Sequence, residues 1–187
     1  MKMAECLLKS TTPYSQSKHY VTEKLPQEQP AAYEERTWRD RCHVNADGNI
    51  IIPPMAFTNS VKEAAKFMNR KIPGQRNATF TKHFEAGILV SDPLVLPIKK
   101  EAVQGEWLFV PSNGQRGGGS RVDKCFPLIP AWEGNVTFYI LDDLITEDIF
   151  GEALDVAGNL IGIGRFRPRN MGYYGRFKVT GMEFVAG

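Results

Sequence analysis

Two helical periodicities set among short β-type runs most constrain what this chain can fold into. Residues 60–70 place Val61, Ala64, Ala65 and Met68 on one stripe, the spacing of an amphipathic helix. Ser60 followed by Glu63 has the form of a capping box, which predicts the helix start. Residues 146–160 repeat the pattern with Ile149, Ala153, Val156, Ala157 and Leu160. A shorter helix is expected within 33–43, where Trp38 and Cys42 fall four apart. Between these lie β-type runs at 3–10, 50–52, 88–96 (interrupted by Asp92-Pro93), 106–110, 135–141 and 177–184. Asp47-Gly48 supplies the turn that leads into the second run. The order is that of an α+β layer, an antiparallel sheet with its helices on one face.

At 187 residues, with 42% apolar and 24% charged side chains, the chain suits one ordered domain with its own core. Residues 11–35 are polar, carry Pro13, Pro26 and Pro30, and read as an extended arm or long loop. The three cysteines, Cys6, Cys42 and Cys125, form no CxxC pair, which favours a reducing compartment. They show no zinc-ligand spacing with His19, His43 and His83. No metal or other cofactor is expected. Gly162-Ile163-Gly164 lacks the strand before and helix after it that a dinucleotide site requires, and no P-loop is present. The opening MKMAECLLKS has no long apolar core, so a signal peptide, a membrane span and a membrane partner are not expected, and a cytoplasmic location is.

Chemistry is concentrated in basic segments. IGIGRFRPRNMGYYGRF, residues 161–177, holds Arg165, Arg167, Arg169 and Arg176 with Tyr173 and Tyr174, and no acid occurs from 156 to 181. Guanidinium groups suit bidentate contact with phosphate, glycines let the backbone approach, and tyrosines suit stacking on bases. The alternative is a β-hairpin with solvated arginines on one face and packed tyrosines. Lys62, Lys66 and Arg70 step along the first long helix, and Arg116 and Arg121 flank the glycine run of NGQRGGGSR. Each histidine is a candidate general base, with Asp40 or Asp47 as an acid, yet no spacing pairs them. A non-catalytic polyanion binder is therefore expected.

Two stretches resemble the RAMP superfamily (repeat-associated mysterious proteins), the backbone and processing subunits of CRISPR antiviral defence systems. DGNIIIPPMAFTNSVKEAAKF is similar to the family's hairpin strand and proline leading into a first helix, with Pro54-Met55 where glycine-serine is usual. GIGRFRPRNMGYYGRFKV is similar to its C-terminal glycine-rich segment. The resemblance covers about 2–10, 42–70 and 135–184. It implies a ferredoxin-like (RRM/RAMP-type) antiparallel sheet with helices on one face and an inserted hairpin or loop, here a thumb at 97–134, within one domain, 1–187. It also implies binding of single-stranded RNA or DNA along Asn59, Lys62, Lys66, Arg70, Arg116, Arg121, Arg165, Arg167, Arg169 and Arg176, to which the stacking reading above adds Tyr173 and Tyr174. Self-assembly into filaments on the strand and contact with other CRISPR-type subunits follow from it; the polar arm and the glycine loop, read as too extended to pack on their own domain, are the segments expected to reach a neighbour. The processing branch offers the rival reading, a metal-independent endoribonuclease using a histidine; a protein-interaction module that mimics a CRISPR subunit is a third.

Overall fold

The computed structural model describes residues 1–114 and 119–186. The chain runs β1 (Lys2–Ser10), β2 (Tyr14–Ser15), α1 (Pro30–Thr37), β3 (Asn49–Ile52), α2 (Pro54–Met68), α3 (Thr81–Gly87), β4 (Ile88–Leu89), β5 (Leu94–Lys99), β6 (Gln104–Pro111), β7 (Arg121–Ile129), β8 (Glu133–Ile140), α4 (Glu147–Val156) and β9 (Phe177–Ala186).

Strand periodicity makes β1 the centre of the fold. Ala4, Cys6 and Leu8 are fully buried, while Glu5 and Lys9 on the opposite face are exposed, the alternation of a sheet covered on one side. β1 pairs antiparallel with both β8 and β9, in a four-stranded sheet ordered β4-β8-β1-β9. Helices α2 and α4 cover the buried side. Phe150 of α4 packs edge-on to Phe138 of β8 at 5.3 Å and to Phe184 of β9 at 6.2 Å. Phe57 of α2 packs against Trp132 and Phe177 at 6.0 and 6.3 Å. The other face carries an apolar row, Leu89–Tyr139–Met3–Val185, and beside it the row Thr137–Glu5–Glu183.

The remaining strands belong to two insertions that pack on each other. β2 from the first joins β7 and β6 from the second in a three-stranded sheet, and β3 pairs with β5. A buried ion pair fixes this junction. Arg41 Nη1 donates to Glu34 Oε1 at 2.7 Å and to the Cys125 carbonyl at 3.2 Å, while Glu34 Oε1 also accepts from the Cys125 amide at 2.9 Å. The Arg41 guanidinium lies 5.1 Å from the Tyr20 ring centroid and 5.2 Å from that of Phe126. Residues 11–35 are tied to their own domain at points: Tyr14, Ser15 and Gln16 are buried and the Thr22 hydroxyl donates to Asp40 at 2.8 Å, while most of 17–32 is exposed.

The α+β class and antiparallel pairing match the sequence reading; several local expectations do not. Helix α2 starts at Pro54, six residues before the expected capping box, because proline at the first helical turn loses no hydrogen bond. Ser60 caps nothing. It is fully buried in mid-helix and its hydroxyl donates to the Gly162 carbonyl at 3.0 Å and lies 3.3 Å from that of Ala157. α4 is capped by Thr146 as its position suggests, but ends at Val156 and widens into a π turn, Ala157–Ile161, that leaves Leu160 half exposed. The helix expected in 33–43 begins at Pro30 and tightens into a 3₁₀ turn, Trp38–Arg41. β7 has no counterpart in the sequence reading, since its outer half alternates polar residues with none of the apolar signal of a core strand.

Glu34→Ala is expected to cost about 3–5 kcal/mol in urea unfolding, because it strands a buried guanidinium. Removing the exposed Lys9–Glu133 pair by Lys9→Ala is expected to cost less than about 1 kcal/mol.

Candidate functional site

Residues 161–176 connect the π turn to β9 as a folded ribbon, not a strand. The Ile163 amide donates to the Gly175 carbonyl at 3.0 Å, and the Tyr174 amide to that of Phe166 at 3.1 Å. Pro168–Asn170 is a 3₁₀ turn. The ribbon is tied to the segment after β1: the Arg165 amide donates to the Ser15 carbonyl at 2.9 Å and the Gly175 amide to that of Pro13 at 2.8 Å. Gly164 has φ +76°, and a Cβ there would meet the Tyr14 ring at 2.4 Å and the Ser15 carbonyl oxygen at 2.5 Å. Only glycine fits that approach.

This geometry rules out the alternating-arginine hairpin and also removes the premise that the arginines are unpaired. Their acids come from distant elements. Arg165 donates to Glu106 at 3.1 Å and to Ser15 Oγ at 3.0 Å, and its guanidinium stacks 3.9 Å from the Phe126 ring centroid. Arg167 and Arg169 each donate to Glu63 of α2 at 2.9 Å. Arg70 pairs with Glu152. The Arg176 guanidinium donates to the carbonyls of Asn159 at 3.0 Å and Tyr173 at 3.5 Å. Burial draws the Arg165 pKa below its usual range, with the Glu106 charge opposing. Tyr174 hydrogen-bonds Glu106, and burial first, then that bond, pushes its pKa up to about 12.

Two cations share Glu63, and Lys62 and Lys66 on the same helix have no ion-pair partner among the described residues. The surface where α2 meets the ribbon is therefore net positive despite the pairing. Asn59, Lys62 and Lys66 follow one another at three- and four-residue steps and so share a helix face, whereas Arg70 lies past the end of α2, which closes at a left-handed Asn69. Beside them opens a cleft of about 400 Å³ whose walls include Asn59, Arg165 and Arg167, with His43, Gln16 and Met55. Gln16 is the bracket behind it. Its buried amide donates to the Ile51 carbonyl at 2.7 Å and accepts from the His43 amide at 2.8 Å.

The structure thus brings Asn59, Lys62, Lys66, Arg165, Arg167 and Arg169 to one region. Tyr173 is exposed and stacks edge-on against Tyr174 at 5.7 Å. Arg121 stands apart on β7, donating to the Phe109 carbonyl at 3.2 Å, and Arg116 lies outside the described residues. Of the histidines, His43 alone lines the cleft; His83 pairs with Asp142 at 2.7 Å and His19 is exposed. Gln16 and Glu106 went unrecognised in the sequence and Glu63 was read as a cap partner of Ser60, since their roles arise from contacts spanning 27 to 106 residues. Among the described residues no three His, Cys, Asp or Glu side chains converge to hold a metal, and no helix is long and apolar enough to cross a membrane. No protein-family model matches the sequence, and no curated protein matches it significantly.

Gly164→Ala is expected to destabilise the domain by about 1–3 kcal/mol through strained φ and the clash with Tyr14, read by thermal or urea unfolding. His43 is held below its ordinary imidazole range by burial first and the Lys18 charge second. Its charged form is disfavoured in the folded state, so this contribution to stability is present above the unfolded value of about 6.5 and is lost as pH falls below it. An NMR titration is expected to show the depressed midpoint, and Lys18→Ala to raise it.

Proposed function

We propose that this protein binds single-stranded RNA or DNA without cleaving it, through the cleft and basic surface where α2 meets the glycine-arginine ribbon. The observation that carries the reading is convergence: Asn59, Arg165 and Arg167, from segments about a hundred residues apart, line one cleft, with Arg169, Lys62 and Lys66 on the elements beside it. Carboxylate partners do not oppose this role. Guanidinium groups held by Glu63 and Glu106 are already oriented, and each keeps donors free for phosphate oxygens.

The architecture we infer is ferredoxin-like and RAMP-type. In support, β1, α2, β4, β8, α4 and β9 follow one another as strand-helix-strand-strand-helix-strand, in the antiparallel order β4-β8-β1-β9. The segment between β4 and β8 contains the β6–β7 hairpin, which corresponds to the expected thumb. The open sheet face is not assigned to nucleic acid: Glu5 and Glu183 stand opposite each other at its middle and would repel phosphate, and of the Lys9 and Lys178 pair farther along it Lys9 is already engaged by Glu133. By the RAMP resemblance the protein would assemble along its strand, alone or with other CRISPR-type subunits. Mass photometry with strands of increasing length tests this: copies per strand should rise with length, and one copy per strand at every length would refute assembly.

A second reading rests on His43, which shares the cleft with two arginines. Its depressed pKa keeps it neutral near pH 7, the form of a general base for metal-independent RNA cleavage. Cleavage in chelator that is lost in His43→Ala would favour this reading over simple binding.

Binding to a mixed-sequence single strand is expected to weaken with salt, with a slope near −0.7 per contacted phosphate. Arg167→Ala and Arg169→Ala should each reduce affinity about tenfold per lost charge-assisted contact, whereas Tyr139→Ala on the open sheet face should leave it unchanged. Salt-independent affinity, or loss of binding only in Tyr139→Ala, would overturn the assignment.

A further inference from the structure

The cleft that holds Asn59 and Arg167 does not end at Arg165. On the far side of that guanidinium lies a second groove of about 450 Å³, with walls that include Leu108, Val110, Lys124, Phe126, Arg165 and Phe166. The two cavities share Arg165 and Ser17 as walls. Their chemistry differs. The first is rimmed by amide, imidazole and guanidinium groups. The second sets the apolar side chains of one face of the β6–β7 hairpin and the ring of Phe166 among the cations Arg41, Arg165 and Lys124, of which Lys124 has no ion-pair partner among the described residues.

Phe166 is the unusual member. Its φ is +54°, a left-handed conformation that is a genuine outlier for a bulky side chain. The backbone around it is closed by the hydrogen bond from the Tyr174 amide, so the conformation is imposed by the ribbon. Nor is the ring buried as a reward for that strain: Phe166 is 45% exposed, with an edge-on contact to Tyr174 at 6.3 Å. A strained residue that presents an aromatic ring to an open slot is a pattern found at binding sites.

We propose that this second groove is a base-docking site. It takes a single nucleobase from the strand whose backbone lies in the first cleft, with the base stacking on Phe166 against the Leu108–Val110 wall. This rests on the single-strand binding reading above and adds where sequence-tolerant affinity comes from. The shared Arg165 is the hinge of the argument. It is fixed by Glu106, Ser15 Oγ and the Phe126 ring, and so offers one edge to the phosphate cleft while flooring the second groove. The volume lies within the roughly 300–1,000 Å³ of small-ligand sites.

The test compares a short labelled single strand with the same strand made abasic throughout, by fluorescence anisotropy. The wild-type protein should prefer the base-bearing strand by roughly tenfold, the effect of one stacked base. Phe166→Ala should erase that preference while leaving affinity for the abasic strand unchanged. Leu108→Ser, on the hairpin and away from the strained ribbon, should reduce the preference in the same way and keeps the test open if Phe166→Ala unfolds. Equal wild-type affinity for the two strands would overturn base docking while sparing backbone binding, as would a preference that survives either folded variant. Failure of the wild type to bind either strand would overturn the binding reading, and base docking with it.

Discussion

Ser15 is where the parts of this molecule are tied together. It is fully buried. Its backbone pairs with Leu128 of β7, its carbonyl accepts from the Arg165 amide, and its hydroxyl donates to the Pro127 carbonyl while accepting from Arg165 Nε. This single residue of β2 thereby holds the inserted sheet on one side and the glycine-arginine ribbon on the other. Nearly every polar group of the Tyr14–Gln16 segment has its partner in another element, as buried backbone requires. Gly164 exists to permit this approach. Without it the ribbon would stand off Tyr14, and neither cleft would have its Arg165 wall.

The same constraint sets the electrostatics. Arginines that look unpaired in the linear sequence are braced in space by Glu63, Glu106 and Glu152. Bracing lowers the conformational entropy lost when a guanidinium engages a ligand. It also distributes charge unevenly. Arg165 and Arg70 are neutralised one for one, whereas Arg167 and Arg169 share one carboxylate beside Lys62 and Lys66. Unbalanced cations therefore gather at the junction of α2 and the ribbon, whereas the open sheet face carries both signs, with Glu5 facing Glu183 and Lys9 facing Lys178.

Periodic elements were legible in the sequence because burial on one face writes itself into spacing. β1, β8, β9, α2 and α4 were found this way, with ends displaced by several residues where Pro54 and the π turn override the pattern. The basic positions were legible as composition. Their partners were not, because the local pattern at Glu63 is that of a cap and Glu106 sits in a segment with no local mark of its use. Ser60 shows how a local rule misleads: a serine three residues before a glutamate has the form of a cap, yet its hydroxyl serves the Ala157 and Gly162 carbonyls about a hundred residues on. β7 escaped notice since Arg121, Val122 and Asp123 are exposed and only its second half feeds the core. His43 was visible only as a lone histidine; the cleft that gives it neighbours is a product of the fold.

Photocross-linking of a single strand carrying thiolated bases, followed by mapping of the cross-linked peptides, tests the central claim most directly. The account predicts adducts on the ribbon at 161–176, on α2 around Asn59–Lys66 and on the β6–β7 hairpin face of Leu108 and Phe126, all competed by unlabelled strand and by salt. Adducts confined to the open sheet face around Met3, Tyr139 and Val185, or no adducts above a charge-matched control protein, would contradict it.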